Sequence, residues 1–325
     1  MEHPLDQEPI DRIQQGLLAW FRQHARALPW RETRDPYAVL VSEVMLQQTQ
    51  VDRVIPYYLE FLRRFPTVQA LAVAPVADVI RIWSGLGYNR RAVNLQRAAQ
   101  AVVERFGGDF PQDVAALRSL PGVGAYTAGA VAAFAFEQDV AFLDTNMRRV
   151  VTRLLFAPGS EPPSTPVSEP AIQEAARWLV PPGKGWEWNQ ALIEFGALQC
   201  TARAPACVFC PLQRDCAAYP SIQSTLAARR TRTRGESSEP FESSSRYFRG
   251  RIVETLRALP TGDSGLSLSS LGAAIRPDFS ADDVPWLDNL VRGLERDGLA
   301  MIAEDAPPYD AGSSPPDPEI RVRLP

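Results

Sequence analysis

Two carboxylates stand where they could do chemistry. Glu43 interrupts a helix of otherwise buried-type residues, in the run Ser42-Glu43-Val44-Met45-Leu46-Gln47-Gln48-Thr49-Gln50. Asp144 ends an apolar approach, Phe142-Leu143, just before Thr145-Asn146 and the start of a helical pattern. Each has an ordinary reading. An aspartate at a helix start is most often a cap accepting from the next turn's amides, and a lone helical glutamate is most often solvated or salt-bridged. Each also has a chemical reading. A carboxyl buried in an apolar cleft has its pKa raised and can act as an acid, and one at the mouth of such a cleft can stabilise a cationic, sugar-like transition state.

Two further patterns carry chemistry. In Leu120-Pro121-Gly122-Val123-Gly124 the paired glycines permit a tight hairpin whose amides face outward at a helix start, which binds phosphate without basic side chains. A plain helix–helix turn is the alternative for the pentapeptide alone. The chain's four cysteines, Cys200, Cys207, Cys210 and Cys216, fall within 17 residues as C-x6-C-x2-C-x5-C. Such a set can wrap one metal centre. Zinc sites generally use two C-x2-C knuckles, and only one is present, so a 4Fe–4S cluster is the first reading and zinc its rival.

Composition removes other chemistries. Only two histidines occur, His3 and His24, too few for a histidine-rich zinc site and poorly placed for a Ser-His-Asp triad. The 34 basic residues are 33 arginines and the single Lys184, and no phosphate-loop pattern ends on that lysine. The net charge of −4 argues against coating nucleic acid by bulk charge, but not against gripping a few phosphates locally. No apolar run approaches the roughly 20 residues of a membrane helix, and the first residues lack a secretory pattern. The expectation is a cytoplasmic, monomeric protein with no membrane partner.

The elements that must position these residues are helical up to about residue 220. Asp35-Pro36 opens a helix to Gln50; Val51–Arg64 follows, with Pro56 as a candidate kink. Gly85-Leu86-Gly87 breaks the pattern before Tyr88–Arg105. Further helices are expected over Thr145–Phe156, Glu169–Val180 and Glu187–Gln199. Residues 157–168 read as a Pro/Ser loop and 223–245 as a linker. Beyond it, three helices and a short strand pair suggest a small winged-helix-like module over 246–304, with 305–325 a disordered tail.

Together and in this order, the motifs resemble the helix-hairpin-helix DNA glycosylase superfamily over about residues 10–220, and within it the adenine DNA glycosylases. The residues carrying the resemblance are Leu28-Pro29-Trp30-Arg31, the Ser42–Val51 run, Gly85-Leu86-Gly87-Tyr88, the hairpin with Tyr126-Thr127-Ala128-Gly129, and the cysteine spacing. The resemblance implies an all-α fold: a six-helix barrel with the hairpin over 31–137, and an iron–sulfur domain from 1–30 and 138–222. It implies a monofunctional glycosylase that flips and hydrolytically removes adenine from double-stranded DNA, opposite 8-oxoguanine or guanine.

By the same resemblance Glu43 protonates N7 of adenine and Asp144 stabilises the oxocarbenium-like sugar. Tyr126 and Asn146 line that sugar. Trp30, Arg31 and Gln190 belong to the base pocket, with Arg31 also set against the DNA. Gln48 and Tyr88 fill the gap in the stack, Thr49 and Leu86 touch the opposite base, and Gly122 and Gly124 hold phosphate. Endonuclease III relatives carry a sugar-attacking lysine at the position of Tyr126; here there is none. Thymine or uracil mismatch glycosylases also carry tyrosine there and remain the alternative, as does a non-catalytic lesion binder. Residues 246–304 are too short and too helical for the Nudix-like domain found in many adenine glycosylases.

Overall fold

Amphipathic spacing dictates the first helix, α1 (Gln7–His24): Ile10, Ile13, Leu17, Trp20 and Phe21 recur at helical intervals and are all buried. In the computed structural model, which describes residues 7–156, 167–219, 221–222, 241–305 and 319–325, the chain divides into two compact units. One comprises Met1–Glu43, Phe110–Ser119 and Val123–Gly235; the other comprises Val44–Asp109, Leu120–Gly122 and Glu236–Pro325. This partition cuts across the expected barrel of residues 31–137. It does so because the pairs α7 (Val114–Arg118) with α8 (Ala125–Ala135), and α8 with α11 (Gly185–Leu198), pack together within the first unit.

In the first unit, α1 and α9 (Thr145–Val151) lie against α11, and α10 (Glu169–Leu179) lies against α9. Trp20 meets Phe195 edge-on at 5.0 Å, fixing α1 to α11. Helix α8 is apolar all round, with Thr127 through Ala135 buried, as a helix enclosed on every side must be. The expected helix through Phe156 changes at Thr152, where the wider turn Thr152–Phe156 takes over.

Helix α2 (Pro36–Leu46), whose residues to Glu43 belong to the first unit, ends a turn short of the expected Gln50; in the second unit α3 (Val51–Arg64) follows. Pro56 lies inside α3 without ending it. Helices α4 (Val68–Val73) and α5 (Val76–Ile82) pack on α6 (Arg90–Phe106), and Phe61 meets Trp83 edge-on at 6.0 Å. After the residues expected as a linker, of which 223–240 lie outside the described residues, come α12 (Ser245–Arg257), α13 (Leu268–Ile275) and α14 (Val284–Arg296). The loop expected over 157–168 likewise falls mostly outside the described residues.

One expectation is overturned here. The last residues are not all a tail: β3 (Glu319–Arg323) is the central strand of an antiparallel sheet, between β1 (Leu266–Ser267) and β2 (Met301–Asp305). Val322 pairs with both Leu266 and Ile302 and is fully buried. Alternation explains it, since Val322 and Leu324 point to one face, inward. Composition alone hid a five-residue strand behind a Pro-rich, acidic stretch. The core under this module also takes Ile80 from α5 and Val93 from α6. None of the described helices is long and apolar enough to cross a membrane.

Candidate active site

Glu43 sits in the middle of α2, 5% exposed, and the phenol of Tyr126, in the first turn of α8, donates to its carboxyl. Burial pushes Glu43 up to about 7; the Tyr126 hydrogen bond opposes the rise, nearby Asp144 adds to it, and the Arg31 charge opposes it. Burial also drives Tyr126 well above its ordinary value, with both carboxylates adding to the effect, so it stays a donor.

Asp144 is the helix cap its position allowed, and its second oxygen has a partner of its own. One oxygen caps α9 by accepting from the Met147 amide at 2.6 Å, while the other accepts from Asn146 Nδ2 at 3.3 Å. The apolar approach that delivers it is held by aromatic contacts: Phe142 meets Tyr126 edge-on at 5.2 Å and Phe134 at 5.5 Å. Gly129 is required for this closeness, because a Cβ there would stand 2.6 Å from that of Phe142. Glu43, Tyr126, Asp144 and Asn146 are thus brought together within one unit.

Behind Glu43 lies a buried ion-pair network. Glu194 is fully buried and accepts from Arg26 Nε at 2.7 Å and Arg31 Nη2 at 2.9 Å, and these bonds hold its pKa below the ordinary value against the opposing effect of burial. Arg31 also donates to Gln190 Oε1 at 2.8 Å and to the Arg26 carbonyl at 2.9 Å. Its guanidinium is committed inward, beside buried Trp30 and Gln190. Glu194 escaped the sequence reading. The only signal was its i+4 spacing from Gln190, which puts both on one face of α11.

The four cysteines line one cavity, with Val150, Leu154, Phe195 and Leu212 around it. Burial raises the Cys207, Cys210 and Cys216 thiols, Cys210 to about 11. Among the described residues, no three His, Cys, Asp or Glu converge as on a single metal ion. Arg153, in the wide turn after α9, donates to Thr201 O at 2.7 Å and lies 3.4 Å from Cys200 Sγ. Arg149 donates to Gly196 O at 2.6 Å and Cys200 O at 3.0 Å. Arg12 on α1 pairs with Asp215 at 2.6 Å. These three arginines, none singled out by spacing, hold the cysteine loop to the helices.

The remaining expected residues lie on loops. In the second unit Gln48 and Tyr88 both adopt left-handed backbone, φ +57° and +47°, and both are exposed, Tyr88 at 41%. Such strain in non-glycine residues clusters at working surfaces. Thr49 is half-buried, and Leu86, 5% exposed, packs beneath its loop. Arg91 ties the two loops together. Its guanidinium donates to Val44, Met45 and Gln47 carbonyls on one side, and to Leu86 and Gly87 carbonyls and the Thr49 hydroxyl on the other, at 2.6–3.2 Å. Nothing in the sequence distinguished Arg91 from Arg90. In the hairpin, Gly122 and Gly124 are exposed; Gly122 has φ +74°, and Gly124 precedes α8 as its cap.

Residues 41–176 match the HhH-GPD superfamily of base excision DNA repair proteins. An adenine DNA glycosylase from Mycolicibacterium smegmatis is 40% identical over 291 residues, covering 89% of this chain and 95% of that protein. The adenine DNA glycosylase of Mus musculus is 44% identical over 67% of this chain, which spans only 44% of that protein's length. A solved thermostable thymine-DNA glycosylase superposes with a TM-score of 0.60 at 31% identity, over 66% of this chain and 97% of that one.

Proposed function

Because this chain belongs to the adenine DNA glycosylases of the helix-hairpin-helix superfamily, we propose that it removes adenine by hydrolysis from DNA in which adenine is mispaired with 8-oxoguanine or guanine. The observation that carries the reading is the buried Glu43, bonded to Tyr126 and set near Asp144. A carboxyl whose pKa stands at about 7 holds a proton at neutral pH and can deliver it. A purine gains most from this, since protonation at N7 turns it into a neutral leaving group.

The extruded adenine enters beside Trp30 and Gln190, at a cost of a few kcal/mol that a mispair reduces. Glu43 gives its proton to N7 as the bond to C1′ opens. The Asp144 oxygen not spent on the Met147 amide faces the developing positive charge, and Asn146, its hydrogen-bond partner, helps order the water that adds at C1′. Gln48 and Tyr88 fill the vacated space in the duplex, Thr49 faces the opposite base, and the Gly122–Gly124 hairpin holds a backbone phosphate. No lysine stands near the reacting sugar: the only one, Lys184, begins α11 beside Glu187. Strand cleavage through a Schiff base is therefore not part of the reaction.

Cys200, Cys207, Cys210 and Cys216 would hold a 4Fe–4S cluster. All four cysteines line one cavity, and their spacing with a single C-x2-C knuckle suits a 4Fe–4S cluster better than zinc. When bound, the cluster would supply a covalent brace, held by the four cysteines as thiolates whose protons are released to solvent. The protein is expected to act as a monomer on nucleoid DNA in the cytoplasm.

The deciding experiment is a single-turnover panel of duplexes pairing A, T or U with G or 8-oxoguanine, using wild type, Glu43→Gln and Asp144→Asn. Adenine release by the wild type alone is expected, with both variants still binding duplex and with no efficient borohydride trapping. The likeness to a thymine-DNA glycosylase supports a second reading, and release confined to thymine or uracil would establish it in place of the first.

A further inference from the structure

Glu194 lies inside α11 with no exposed side-chain surface, and the reaction above gives it no task. A buried carboxylate is costly unless its oxygens are matched by donors. Here Arg26 donates from its backbone amide at 3.1 Å and from Nε and Nη2 at 2.7 and 2.9 Å, and Arg31 Nη2 donates at 2.9 Å. One buried anion is thus shared by two cations, which is more than pairing its charge requires.

The second cation is the one held in place. Each nitrogen of the Arg31 guanidinium has a different partner: Nη2 the Glu194 carboxylate, Nη1 the Arg26 carbonyl at 2.9 Å, and Nε the Gln190 Oε1 at 2.8 Å. The group also lies over the Phe21 ring, 5.4 Å from its centroid. Together these contacts fix its plane and its rotation. A guanidinium has donors and no acceptor. The Gln190 carboxamide must therefore turn its oxygen to Arg31 and its –NH2 group away. Gln190 is 5% exposed, and its Nε2 has no hydrogen-bond partner among the described residues. A buried amide donor without a partner is completed by a ligand that accepts.

Adenine offers bare ring nitrogens. N7 is taken by Glu43 and N3 lies on the sugar side, which leaves N1. Hypoxanthine and guanine carry a hydrogen at N1 and meet a donor there with a donor. We propose that Glu194 is a positioning residue for base selectivity: through Arg31 it locks Gln190 as a hydrogen-bond donor to N1 of the extruded adenine. The proposal rests on the reading that Gln190 borders the flipped base. A pocket whose buried donor loses its acceptor discriminates strongly against the base that lacks it.

The test uses the full chain in single turnover at saturating enzyme. The target, opposite 8-oxoguanine, is adenine, 1-deazaadenine (a C–H in place of N1) or hypoxanthine. The intrinsic lability of each base cancels when the rate ratio of adenine to analogue is compared between proteins. Wild type is expected to show a ratio about tenfold or more above that of Gln190→Ala, the worth of one buried hydrogen bond. In Glu194→Gln the ratio falls to the Gln190→Ala value, and adding Gln190→Ala to it lowers the ratio no further. Arg31→Met, which keeps the stem against Phe21 and leaves Glu194 with Arg26, does the same and serves if Glu194→Gln fails to fold. General damage to the fold slows all three bases together and leaves the ratio unmoved. A wild-type ratio in both Glu194→Gln and Arg31→Met, or equal ratios in wild type and Gln190→Ala, overturns the proposal while adenine excision stands. A wild type that releases thymine and no purine sinks the functional reading, and this proposal with it.

Discussion

At the scale of single residues, Glu43 sets the pH behaviour. Its folded pKa of about 7 lies above the ordinary 4.5, so the native state binds this proton more tightly than the unfolded chain does. The stabilisation is complete below about 4.5 and is lost as pH rises through about 7. Above that, a buried carboxylate remains, at a cost of order 3 kcal/mol. Two outcomes follow. Single-turnover adenine release should fall about tenfold per pH unit above 7, as the acid loses its proton; a rate that stays flat to pH 9 would remove Glu43 as proton donor. Glu43→Gln should raise Tm at pH 8, and the gain should vanish toward pH 4, while release is lost at both. Thermal melts at the two values check this. Asp144 was legible as a cap, and one carboxylate oxygen does cap α9 while the other accepts from Asn146. Arg31 was legible only in part. Its spacing gave no hint of Glu194, whose carboxylate draws the guanidinium inward.

Helix α9 shows what one element transmits. Its first turn is capped by Asp144, its last turn carries Arg149, the wide turn after it carries Arg153, and these two grip the loop between Cys200 and Ala202. The cysteine loop and the Asp144 carboxylate are joined by this one short stretch of chain. Arg153→Ala should lower cluster affinity about tenfold or more, as loss of an outer-shell partner does. Iron and acid-labile sulfide per chain after chelator challenge measure it, and undiminished retention would assign Arg153 to the helix alone. The hydrophobic spacing located α10 and α11 within a residue or two and the start of α9, but ran α9 five residues too far. It could not foresee the wide turn at Thr152–Phe156, because that turn exists to meet carbonyl groups 45 or more residues away. Arg91 was hidden for the same reason: its partners are backbone carbonyls, which no side-chain pattern encodes.

Over the whole molecule, the division into units follows packing more than chain order. Residues 44–109 share a unit with the C-terminal module, and the apolar positions of α5 and α6 become part of its core. Local periodicity marks an apolar face but does not say which distant segment covers it, and the barrel that the resemblance implied over 31–137 did not include the C-terminal module in its core. The same blindness assigned β3 to a tail. Val322→Ala should cost about 2 kcal/mol, because a fully buried side chain between two strands is truncated. Chemical denaturation reads that loss, and an unaltered midpoint would return residues 319–325 to the status of a tail.

The backbone of Ala77 donates to the carbonyl of Pro325. That hydrogen bond joins segments made far apart in time. During synthesis, Ile80 and Val93 leave the ribosome roughly 230 residues before Val322 does. At the usual pace of translation that is about ten to fifty seconds. Through that interval the nascent chain presents an uncovered apolar surface on α5 and α6, so holdase chaperones should be found on ribosome-bound intermediates of this protein more than on the finished chain.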